Sequence, residues 1–131
     1  MPCAICVLHP GAHSFVQLEA KVDHIPVYYT CPAQASEYWD GAGIVSHMRN
    51  VLADHGFPPQ WIWKFDAQGF TVRHALEFGV AMDLLALFRT EDVGQRLHSV
   101  IIVNGNGYLR AMLTLLQPLM SSALWDKIHF E

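Results

Sequence analysis

Charge is what this sequence has least of. Asp, Glu, Lys and Arg together make up 15% of its 131 residues, where a soluble domain usually carries about a quarter. Eight are Lys or Arg and twelve are acidic, for a net charge of −4. A nucleic-acid partner is therefore not expected, because neutralising a phosphate backbone needs a basic surplus. A polybasic membrane patch is excluded on the same ground. Apolar residues reach 52%, and this excludes a disordered chain, which combines low hydrophobicity with high charge.

Long apolar runs are missing as well. The greasiest stretch, residues 72–88, is interrupted by Arg73, His74, Glu77 and Asp83, so no transmembrane helix is expected. The opening MPCAICVLHPGAH has no Lys or Arg ahead of a short apolar part, unlike a secretory signal. Cysteine is scarce, with three residues. An odd number gives no disulfide framework, and a domain of this size needs none. A cytoplasmic protein is the expectation. Low-complexity segments, internal repeats and linkers are also lacking, so residues 1–131 are expected to form one domain.

The hydrophobic pattern supplies the elements. Residues 3–9 form a short apolar run closed by Pro10-Gly11 and read as a strand. Residues 15–22 alternate with period two, and the even positions Val16, Leu18, Ala20 and Val22 are expected to face inward. Residues 27–31 are rich in strand formers. The period then changes. Tyr38, Ala42, Val45, Met48 and Leu52 recur every three or four residues, an amphipathic helix that ends at Gly56 before Pro58-Pro59. Residues 61–65 read as a strand, 71–89 as one long helix, 99–103 as a buried strand, 108–116 as a helix and 127–130 as a last strand. The order β-β-β-α-β-α-β-α-β implies an α/β protein with α+β character at its N-terminus. A mixed sheet with helices mainly on one face follows from right-handed crossovers.

Candidate chemistry is thin. Cys3-Ala-Ile-Cys6 is a CxxC, which suggests a redox dithiol or half a zinc site. In a strand, however, residues three apart point to opposite faces. Plain core cysteines are thus expected, with no metal. The eight histidines, His9, His13, His24, His47, His55, His74, His98 and His129, contain no HExxH motif. Asn104-Gly-Asn-Gly107 lies where an open α/β sheet binds ligands, but it has neither the third glycine nor the Lys-Ser/Thr of a nucleotide loop. It reads equally as a tight turn. Asp66, ahead of Gly69, is the parallel case of a strand end with an acid. There is no GxSxG and no close carboxylate pair, so neither an enzyme nor a cofactor is expected.

From Trp61 onward the chain resembles the CRAL-TRIO lipid-binding family. That family has a strand ending in Asp-x-x-Gly, then a hydroxyl residue and a helix, here WKFDAQGFTVRH. Its later pattern is a strand ending in Asn, an aromatic, a helix, Pro-Leu and Lys-Ile-x-Phe. Asn104, Tyr108, Pro118-Leu119 and Lys127-Ile128-His129-Phe130 follow that pattern. The topology is also similar to STAS and SpoIIAA-like domains. The antagonist members of that group carry a phosphorylatable Ser just after the strand-end Asp, where this chain has Ala67 and Gln68.

The resemblance implies a non-catalytic domain binding a lipid or other apolar small molecule. Asp66, His74, Phe78, Met82, Asn104, Tyr108 and Met112 are its candidate ligand-binding residues, with Leu85, Leu109 and Leu116 completing an apolar wall. The alternative is a SpoIIAA-like interaction module without the serine switch. The apolar excess would then serve a protein partner, a second copy of the chain or a peripheral membrane contact.

Overall fold

The computed structural model describes residues 3–54 and 56–131; His55 lies outside them. It is an α/β structure around a five-stranded mixed sheet. The strands are β1 (Val16–Val22), β2 (Ile25–Thr30), β3 (Trp61–Asp66), β4 (Leu97–Val103) and β5 (Ile128–Phe130). They lie side by side in sequence order, with β1 antiparallel to β2 and every later pair parallel. The helices are α1 (Ala4–Leu8), α2 (Gly41–Asp54), α3 (Val72–Ala75), α4 (Phe78–Leu87), α5 (Gly107–Leu116) and α6 (Ser122–Asp126). Among the described residues no helix is long and apolar enough to cross a membrane.

Sequential parallel strands with crossovers of one hand place their connecting helices on one face of a sheet. The core agrees. Tyr28, Trp63 and Val100 stand in register across β2, β3 and β4, and they cluster with Met48 and Leu52 of α2, Leu85 of α4 and Leu109 and Leu113 of α5. Phe15 stacks on Tyr28 with ring centroids 5.2 Å apart, and Trp61 sets its edge against both rings. The buried indoles keep partners: Trp61 donates to the Val93 carbonyl and Trp63 to the Thr30 hydroxyl. On the opposite face Tyr29, Lys64 and Ile101 are half-buried, while Val16 and His129 are exposed.

Five expectations are corrected. Residues 3–9 contain helix α1 and no strand, so the chain opens α-β-β. A short apolar run carries no period that separates the two. In β1 burial does not follow the alternation: Gln17 and Leu18 are both half-buried, residues 19–22 are exposed, and the register with β2 shifts between Gln17 and Lys21. Phe15, just before the strand, is buried, whereas Val16 is exposed and so is Val22 at the hairpin end. The helix expected over residues 71–89 is two helices. α3 packs against α5 and α4 against α2, and between them the backbone leaves the helical region at Glu77 with ψ 66°. Strand β4 is also less enclosed than expected, since His98 is exposed and Ile101 half-buried.

The β1–β2 connection is a two-residue hairpin, Asp23-His24, with φ of 49° and 67°. Both residues take the left-handed conformation that the right-handed twist of a hairpin requires. The helix whose apolar recurrence begins at Tyr38 starts at Gly41, with the Asp40 carboxylate accepting from the Gly43 amide at 3.0 Å.

Candidate ligand site at the carboxyl ends of the parallel strands

In an open α/β sheet, ligands gather beyond the carboxyl ends of the parallel strands. Here those ends carry two separate arrangements, one on each face. Asp66 ends β3 and is buried. Its Oδ1 accepts from the Gln68 amide and from Asn104 Nδ2, each at 2.9 Å, and its Oδ2 accepts from the Tyr29 hydroxyl at 2.6 Å. Burial alone would push this carboxyl up. The bonds from Asn104, Tyr29 and the Gln68 amide outweigh it and hold Asp66 below the usual carboxylate range. Tyr29 is shifted the other way, chiefly because its hydroxyl donates to that carboxylate. A depressed, fully engaged carboxylate is a poor proton acceptor. It ties β2, β3 and the end of β4 together.

Asn104 has φ 55°, a left-handed position that Asn tolerates better than most residues. Asn106 caps α5, accepting from the Leu109 amide at 3.1 Å, and donates to the Phe70 carbonyl at 2.9 Å. The Asn-Gly-Asn-Gly segment is thus occupied in joining two loops.

The second arrangement lies on the helix side. A cavity of about 80 Å³ is lined by Trp63 and Phe65 of β3, Leu85 of α4, Leu109, Met112 and Leu116 of α5 and further apolar side chains. Next to it is a more polar cleft of about 270 Å³, lined by Ser36, Trp39, Gly69, Arg73, His74 and Glu77 among others. Tyr38 forms part of both walls. Burial, with Glu77 nearby, pushes its phenol well above the usual range, so it remains a neutral hydroxyl. The His74 ring packs edge-on to Tyr38 and is stacked on Phe70. Burial and then the Arg73 charge lower its pKa. Its Nδ1 accepts from the Thr71 amide at 3.1 Å, so the ring also caps α3.

The seven candidate residues therefore separate. Met112 lines the cavity, with Leu85, Leu109 and Leu116. His74 lines the cleft. Asp66 and Asn104 meet each other, but Asp66 follows the cavity-lining Phe65 in the strand and so points to the opposite face. Phe78, Met82 and Tyr108 are exposed, and none of them lines the cavity. Tyr38 and Arg73 are the residues that sequence reasoning missed. Tyr38 fits the helical period of α2, which hides that it belongs to the loop ahead of it.

One further cluster joins residues far apart in the chain. Ligand-type atoms of Cys3, Cys6, His13 and His47 all lie within 4.8 Å of one another. Burial pushes the Cys6 thiol up and lowers the pKa of the His47 ring. Cys31 stands apart, its Sγ 3.6 Å from the Gln68 carbonyl.

No protein-family model matches this chain, and no curated protein matches it.

Proposed function

We propose that this protein is a non-catalytic binding domain for an amphiphile such as a lipid, built as a minimal CRAL-TRIO-like unit. The apolar cavity takes the hydrocarbon part, and the cleft at Ser36, Arg73 and His74 takes the polar part. The observation that carries this reading is that Tyr38 is a shared wall of an apolar space and a polar one. At about 80 Å³ the cavity is smaller than the roughly 150 Å³ apolar cavity that admits benzene. A long chain therefore enters only as the lining gives way. Met112 and Met120 in that lining are the adaptable side chains for it.

Native mass spectrometry of gently purified protein tests the reading. A mass adduct released on denaturation, and lost in Ala81→Leu, supports it, because three added carbons at Ala81 fill the cavity. A bare protein that takes up nothing from phosphatidylcholine vesicles overturns it.

A SpoIIAA-like interaction module is the second reading. Phe78 and Met82, four residues apart on α4 and each 43% exposed, favour it. A bare dimer in the same measurement, dissociated by Met82→Glu, selects that reading.

A further inference from the structure

We propose that Cys3, Cys6, His13 and His47 bind one zinc ion in a closed tetrahedral site that fastens the N-terminal segment to α2.

The distances carry the proposal. A zinc ion holds thiolate sulfur at about 2.3 Å and imidazole nitrogen at about 2.0–2.1 Å, so tetrahedral angles set S···N separations near 3.5–3.6 Å. His13 Nδ1 lies 3.5 Å from Cys3 Sγ and 3.7 Å from Cys6 Sγ, and His47 Nδ1 lies 3.6 Å from Cys6 Sγ. Two thiol hydrogen bonds would account for two of these contacts. All three at one spacing, with both Nδ1 atoms turned to the same sulfur, follow from a common centre.

The outer partners fit as well. His47 Nε2 lies 3.0 Å from the Phe15 carbonyl, which can only accept. That ring therefore carries its proton on Nε2 and presents a bare Nδ1 to the cluster. His13 Nε2 faces the Asp40 carboxylate at 3.5 Å, and the His13 side chain is buried. Carbonyl and carboxylate partners on the far ring nitrogen are what orient metal-bound histidines. The first turns of α2 are shaped around this pair: a Cβ on Gly43 would run into Asp40 and come within 2.9 Å of His13 Nε2.

A structural need points the same way. Helix α1 has five residues, none of them buried, and exposes Val7 and Leu8. Such a short helix is not stable alone, and within it only Ile5 and Cys6 are even half-buried. Four protein ligands leave no open position, which marks a structural rather than a catalytic zinc. Two thiolates with two imidazoles in a tetrahedron select zinc over calcium or magnesium.

The test uses the full chain with a C-terminal, non-histidine tag. Elemental analysis after zinc exposure and desalting should give one zinc per chain. Cobalt in its place should give the visible absorption of a tetrahedral thiolate–imidazole centre. Zinc should protect Cys3 and Cys6 of the wild-type protein from alkylation, with Cys31 unaffected by chelator under native conditions. Cys6→Ser and His47→Asn should lose the metal, and Cys31→Ser should keep it. Asp40→Asn, which still caps α2, should weaken zinc about 10–100-fold. A wild-type protein with no stoichiometric zinc, a Cys3–Cys6 disulfide in its place, or zinc retained by Cys6→Ser would each overturn the proposal. The protection experiment needs no variant, so a variant that fails to fold leaves the test decisive.

Discussion

Asn104 reaches from the end of β4 to Asp66 at the end of β3, its Nδ2 2.9 Å from the carboxylate Oδ1. With Tyr29 on the other oxygen, three neighbouring parts of the sheet converge on one buried charge. This is how a strand-end acid that resembles a ligand contact becomes a fastening.

Asp66→Asn is expected to lower stability at neutral pH by about 1.5–3 kcal/mol, the range for hydrogen bonds to a charged group. The sign with pH follows from the depressed carboxyl of the folded state. Its contribution is complete above the unfolded value of about 3.9 and is lost as pH falls through the lower folded value. Urea unfolding at several pH values should therefore show the gap between wild type and variant closing only in that acidic window. A gap that stays constant down to the lowest pH would mean that the charge of Asp66 contributes nothing.

Much of the fold could be read in the residues. The aromatic run of β3 and the β-branched run of β4 show strand by composition, and α2 and α5 are long enough to show a three- and four-residue recurrence. The errors have physical causes. In β1 the apolar Val16, Leu18, Ala20 and Val22 alternate with Gln17, Glu19 and Lys21, yet the buried residue is Phe15, just ahead of the strand and of the opposite parity, so the period does not give the direction. Only the placement of every crossover helix on one side makes Phe15 inward and Val16 outward. The break at Glu77 answers two different packing partners, which no local signal records. For the cysteine–histidine cluster, Cys3, Cys6 and His13 are close in the chain. In a strand their spacing would turn the two sulfurs to opposite faces, whereas helix α1 brings them together, and the fourth member, His47, reaches them only through the fold.

Asn106 should matter more than its exposed loop suggests. It caps α5 through the Leu109 amide and holds the Phe70 carbonyl with its side-chain amide. Asn106→Ala removes both bonds. A loss of about 1–2 kcal/mol is expected from the cap. Asn106→Asp keeps the acceptor but turns an oxygen toward the Phe70 carbonyl, so it should recover only part of that loss. Denaturant midpoints of the two variants settle the order, and equal stability of Ala and wild type would refute it.

Two glycines of the helices should respond to alanine with opposite signs. Alanine favours a helix by about 1 kcal/mol over glycine where nothing else changes. At Gly79, in the first turn of α4, an added Cβ meets nothing within 4 Å. Gly79→Ala should stabilise by about 0.5 kcal/mol, less than in a helix interior. At Gly43 the same methyl group meets the Asp40 carboxylate and the His13 ring. Gly43→Ala should therefore destabilise by about 1–3 kcal/mol, the usual cost of overpacking. Thermal unfolding of both variants, run side by side, checks the contrast.

The Arg49–Asp92 pair tests how far a short distance can be taken as a measure of strength. The guanidinium Nη1 is 2.7 Å from the Asp92 carboxylate, and that bond first of all draws the Asp92 carboxyl below its ordinary range. Yet the two side chains are 35% and 45% exposed, so water and salt screen the attraction and the long side chains lose freedom in forming it. Arg49→Met is thus expected to cost no more than about 1 kcal/mol, and less in high salt. The pair joins α2 to the loop before β4, away from the cavity, so ligand uptake should not change. A double-mutant cycle with Asp92→Asn, measured by urea unfolding at low and high salt, isolates the coupling. A coupling energy well above that figure, unmoved by salt, would show that the pair behaves as a buried one and that the exposed surface here is less wet than its geometry indicates.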